Sequence, residues 1–159
     1  SYTSLYQSSL QDSSYSVVGS AIEGLLAVET DQSQLLQPYF SATQIEIILP
    51  LADAAVLNAD TTKYEWLQQK YEQLSGREQW YIKQYLNEML LYLSPKKQKE
   101  AIPELKTLAK EHPESYMRLA GMQGLLFLLD THPDLEQDIT EIMQVETDET
   151  LQQVYQEFK

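Results

Sequence analysis

Apolar residues recur at helical spacing along most of the chain. Tyr15, Val18, Ile22, Leu25 and Leu26 share one helical face. Ile82, Tyr85, Leu86, Met89 and Leu93 share another, and Tyr116, Leu119, Leu126 and Leu129 a third. The pattern predicts helices over 14–28, 32–39, 44–58, 62–74, 77–92, 95–110, 115–129, 134–146 and 148–158. Alternating strand patterns are poor, and no Asn-Gly or Asp-Gly pair marks a hairpin. The expected fold class is therefore all-α.

Start signals agree with these helices. Thr43 with Glu46, Thr62 with Glu65 and Ser75 with Glu78 each fit a capping box, in which hydroxyl and carboxylate satisfy N–H groups that have no helical partner. Ser94-Pro95 sets an N-cap before a first-turn proline, and His112-Pro113 and His132-Pro133 resemble helix starts. Pro50 and Pro103 fall inside predicted helices. Each lacks a backbone donor and crowds the preceding turn, so a kink or short break is expected at both.

The chain also repeats itself. DSSYSVVGSAIEGLLAVE at 12–29 aligns with PESYMRLAGMQGLLFLLD at 113–130, an offset of 101, which is about three steps of 34. One such step from Tyr15, Val18 and Ile22 reaches Leu49, Ala52 and Val56; a step of 67 reaches Ile82, Tyr85 and Met89. Second helices recur near 32, 62, 95 and 134. The expectation is an α-α superhelix of the HEAT/ARM-like solenoid type, with four stacked helix pairs and a terminal helix, forming a single domain over 1–159. The Trp/Leu-Gly/Tyr pattern of tetratricopeptide repeats is missing. Gly19, Gly24, Gly121 and Gly124 lie inside predicted helices, where each costs about 1 kcal/mol relative to Ala. Close approach of a neighbouring helix would explain them.

Composition narrows the function. The chain of 159 residues carries 24 acids against 11 bases, a net charge of −13 that a nucleic-acid backbone would repel. The charge is uneven: residues 1–62 hold seven acids and no base, 63–118 eight acids and ten bases, and 119–159 nine acids and one base. Such asymmetry suits either solvated helix faces or a face that meets another protein. Zero cysteines exclude disulfides, thiolate metal sites and thiol catalysis, and leave the compartment open between a bacterial periplasm and a cytosol. No apolar run reaches the ~18–20 residues of a membrane span. The opening SYTSLYQSSLQDSS has neither a basic nor an apolar region of a leader, and no initiator Met. A piece of a longer polypeptide is expected.

Recognisable chemistry is sparse. H-E-x-x-H, a Gly-rich phosphate loop and G-x-S-x-G are all missing from the sequence. His112 and His132 stand twenty residues apart with no convergent partners. Glu136, Asp138, Glu141, Glu146, Asp148 and Glu149 form an acidic run without calcium-loop spacing, read as a solvated face or a docking face for a basic partner. Lys96, Lys97, Lys99, Lys106 and Lys110 form one basic cluster, to be neutralised by Glu100, Glu104 and Glu111. Tyr64, Trp66, Tyr71, Trp80, Tyr81, Tyr85 and Tyr92 make one aromatic stretch, read as core between helix layers or as interface. No residue is assigned a catalytic, cofactor-binding or metal-ligating role.

SYSVVGSAIEGLLAV and ESYMRLAGMQGLLFLLD resemble the D-x-S-Y-x-V-x-x-x-A-[LI]-x-x-L helices of the C-terminal region of zinc aminopeptidases of the aminopeptidase N type, particularly bacterial members. In the second segment Met122 and Gln123 replace Ala21 and Ile22 of the first. The resemblance implies a HEAT-like C-terminal domain. It also implies that zinc would be held upstream, in a thermolysin-like domain bearing H-E-x-x-H, a distal Glu ligand and G-x-M-E-N. None of these motifs is in this chain, so it would be non-catalytic by itself. It would cover the active-site chamber and influence peptide access. Its partners would be the catalytic domain of the same polypeptide and, indirectly, the peptide substrate. A free-standing α-solenoid adaptor and an enzyme with an unrecognised carboxylate site are the other readings. The acidic charge suggests that a concave wall attracts peptide N-terminal amines; charge reversal there with unchanged peptide affinity would sink that idea.

Overall fold

The computed structural model describes residues 2–28 and 33–158. Among these residues there are ten α-helices, two short 3-10 turns and no strand. The all-α, solenoid-like class expected from the sequence is what the chain adopts. The chain, read as one domain from its length, divides into two compact units, Ser1–Tyr85 and Leu86–Lys159.

In the first unit, α1 (Tyr2–Ser9) packs on α2 (Tyr15–Val28), and α2 on α4 (Ile45–Leu57). Between them run α3 (Ser33–Leu36) and the 3-10 turn Gln37–Ser41; after them come a second 3-10 turn, Thr61–Lys63, and α5 (Tyr64–Gln73). Val18, Ile22 and Leu25 of α2 are buried against Ile47 and Leu51 of α4. Each such side chain stabilises the fold by roughly 1.5–3 kcal/mol when fully removed from water. Tyr15, expected on this face, is instead exposed, because it opens the helix beyond the reach of α4.

Helix α6 (Gly76–Leu90) crosses the boundary between the units. In the second unit α7 (Pro95–Glu111) packs on α8 (Ser115–Leu128), followed by α9 (Leu135–Val145) and α10 (Glu149–Gln156). A β-carbon at Gly121 would meet Ala109, and one at Gly124 would meet Leu105. Residue number rises along α8 as it falls along α7, so the two helices form an antiparallel pair.

Several expectations require correction. Residues 2–9, outside the helices expected from the sequence, form α1 although serine is a weak helix former. Tertiary contact forms α1: Tyr6 lies over Gly24, and Leu10 is buried at its end. Of the kink or short break expected at Pro50 and Pro103, the break does not occur; α4 and α7 run through them. Thr43 and Thr62 do not cap. Gln44 precedes α4 with no side-chain cap, and Asp60, one turn early, accepts the N–H of Thr62 at 3.2 Å. Ser94 does cap α7, accepting from Lys97 at 3.4 Å. In α8 the buried face is Met117, Ala120, Gly121, Leu125 and Leu128, while Tyr116, Leu119, Leu126 and Leu129 are half-buried. That helix is apolar almost all round, so spacing alone does not choose its inner face; the glycine contacts with α7 do.

Candidate functional site

The two histidines act in local structure. His112 ends α7, and its Nδ1 accepts the N–H of Glu114 at 3.1 Å. His132 ends the segment after α8, with Nε2 3.1 Å from Oε1 of the buried Gln98. Gln98 in turn donates to the Leu90 carbonyl at 2.9 Å. Neither histidine starts a helix directly; α8 begins at Ser115 and α9 at Leu135.

The acidic run is split by the fold. Glu146 leaves the surface altogether: its side chain is 3% exposed and forms a two-pronged pair with Arg118, at 2.8 and 2.9 Å. The same carboxylate accepts the N–H groups of Thr147 and Asp148 at 2.9 Å. Arg118 Nη1 donates to the carbonyls of His112 and Pro113. One ion pair thus ties the loop before α8 to the turn between α9 and α10. The hydrogen bonds from Arg118 hold the Glu146 carboxyl below its ordinary value, against the opposing effect of burial. Burial beside this pair pushes the Tyr155 phenol up to about 12, and its hydroxyl has no hydrogen-bond partner among the described residues. Asp148 caps α10 through the N–H of Leu151 at 3.0 Å. Asp138 pairs with Lys106 at 2.5 Å, so this lysine reaches across to α9 rather than to a glutamate on its own helix. Sequence reasoning missed the Arg118–Glu146 pair because its partners stand 28 residues apart, with no local spacing to announce them.

The aromatic stretch divides between core and surface. Trp66 donates its indole N–H to the Phe40 carbonyl at 2.8 Å and meets the Phe40 ring edge-on. Tyr64 is buried, whereas Tyr81 is 42% and Tyr92 50% exposed. Nearby, Lys70 is buried and donates to the Ala42 carbonyl at 2.6 Å; desolvation lowers its pKa.

A recess lined by residues of the first unit lies along α2 and α4. Its volume is about 680 Å³. Leu26, Leu49, Pro50 and Ala54 give it apolar walls, Leu57 stands at one end, and Glu23 and Asp53 line it with carboxylates. Gly19 meets Glu46, and further along each helix Glu23 and Leu26 share this recess with Pro50 and Asp53. The two helices therefore run in the same direction, as equivalent members of successive helix pairs do. Among the described residues no group of three or more His, Asp or Glu side chains is placed to hold a metal ion.

The chain matches no family model, no curated protein and no solved structure.

Proposed function

We propose that this chain is the non-catalytic, HEAT-like C-terminal part of a zinc-dependent aminopeptidase, covering the active-site chamber and influencing which peptides enter. One observation supports this reading above the others. The two segments that resemble that family each become a 14-residue helix, α2 and α8, and each has a glycine set against the main chain of a packed helix, Gly19 on Glu46 of α4 and Gly121 on Ala109 of α7. A repeat-built helical wall is what the resemblance implies, and its role is to shape access rather than to move protons.

A cover acts on substrate length. In the complete polypeptide, a protease site placed just before residue 1 allows the helical part to be cut and removed after folding. Hydrolysis of an aminoacyl-p-nitroanilide is then compared with hydrolysis of a long peptide bearing the same first residue. Removal is expected to change the ratio of the two kcat/KM values. An unchanged ratio would contradict the cover role.

A further inference from the structure

The recess along α2 and α4 is lined at regular spacing along both helices. Leu49, Asp53 and Leu57 succeed one another at four-residue steps along α4, a row about 12 Å long at 1.5 Å per residue. Glu23 and Leu26 stand beside it on α2. Leu57 is 77% exposed, an apolar side chain presented to water at one end. Carboxylates flanking apolar walls at this spacing complement a helix that carries leucine-like residues on one face and lysines or arginines beside them.

The charged side chains that line the recess, Glu23 and Asp53, are both acidic. Residues 1–62 contain seven acids and no base. Three of the four bases in the first unit are engaged elsewhere: Lys63 over the Phe40 ring, Lys70 on the Ala42 carbonyl and Lys83 over the Tyr71 ring. An anionic occupant would be repelled, and a purely apolar one would leave Glu23 and Asp53 facing it.

We propose that this recess docks a basic amphipathic helix of a separate protein, with its apolar face on Leu26, Leu49 and Leu57 and its cations on Glu23 and Asp53. The inference does not depend on the aminopeptidase reading.

The test is fluorescence anisotropy of the 159-residue chain with a labelled leucine/lysine peptide patterned as an amphipathic helix. Two control peptides replace its lysines by glutamate or its leucines by serine. The leucine/lysine peptide is expected to bind, more weakly as salt rises, and both controls to bind far less. The double variant Glu23→Gln, Asp53→Asn should weaken binding about tenfold, two exposed ion pairs being lost. Leu57→Ser should cost at least about tenfold, and since Leu57 is exposed the variant keeps its fold, as circular dichroism would check. Glu100→Gln with Glu111→Gln removes equal charge elsewhere and should change nothing.

Equal loss in that last pair would reveal mere attraction to an acidic protein and overturn the proposal. So would self-association abolished by Leu57→Ser, which makes the occupant a second copy. Failure of the complete polypeptide to bind a peptide that the 159-residue chain binds would assign the recess to a segment of its own chain, and would also overturn it.

Discussion

The α-carbon of Gly19 lies against the main-chain carbonyl of Glu46, so close that a β-carbon on residue 19 would collide with the oxygen. That carbonyl is the one Pro50 leaves without a helical donor, four residues on. The glycine and the proline therefore belong to one contact between α2 and α4. Gly121 also meets main chain in the second unit, on the antiparallel α7, where a β-carbon would fall 2.6 Å from the nitrogen of Ala109.

Alanine at either position is expected to destabilise the fold, although alanine is the better helix former. The propensity gain is about 1 kcal/mol, and forcing two helix backbones apart costs roughly 1–3 kcal/mol, occasionally more. Gly24→Ala should cost less, because its neighbour is the movable ring of Tyr6. Urea denaturation followed by circular dichroism ranks the three; Gly24→Ala as the most damaging would contradict the packing described.

Glu146→Gln should be among the most destabilising single changes in the second unit. It leaves the Arg118 guanidinium, 14% exposed, without its counter-charge, a loss of about 3–5 kcal/mol for a buried pair. The pH dependence follows from the same contact. The Glu146 carboxyl is held below 4.5 in the fold, so its stabilisation is present above that value and is lost as pH falls through the lower folded value. Acid unfolding midpoints of the parent chain and of Glu146→Gln should therefore differ in slope as well as position. Parallel curves would contradict the assignment.

Tyr155 supplies the alkaline counterpart. Its phenol ionises near 12 in the fold, against an ordinary 10.0. Stability from its neutral form is complete below about pH 10 and lost progressively as pH rises through the folded value. A spectrophotometric titration of the folded chain should show a tyrosine ionising near 12, and Tyr155→Phe should remove that phase. At neutral pH the same change should be nearly neutral or slightly stabilising, since the hydroxyl has no partner to lose. A loss above roughly 2 kcal/mol would show that the hydroxyl does have a partner.

Most of the helix pattern was legible in the sequence because it rests on local signals: apolar spacing, Ser94-Pro95 and the matched segments at 12–29 and 113–130. What escaped depends on distant contacts. Helix α1 exists because Tyr6 finds Gly24, not because its serines favour a helix. The inner face of α8 is selected by α7, and Glu146 is drawn from an apparently solvated run by an arginine 28 residues away. The recess along α2 and α4 was invisible because its walls come from those two helices and from Tyr85 of α6, a juxtaposition no local spacing encodes. A kink or short break is the local expectation at Pro50 and Pro103; neither helix breaks, since the rest of each can supply enough packing to carry a proline.

The most direct measurement of the proposed function is made on the polypeptide encoded by the complete reading frame that contains these 159 residues. Its zinc content and its release of p-nitroaniline from aminoacyl-p-nitroanilides are determined before and after treatment with a zinc chelator. The account predicts bound zinc and hydrolysis that the chelator abolishes, with neither zinc nor turnover in the 159-residue chain alone. A complete polypeptide that binds no zinc and releases no N-terminal residue would contradict it.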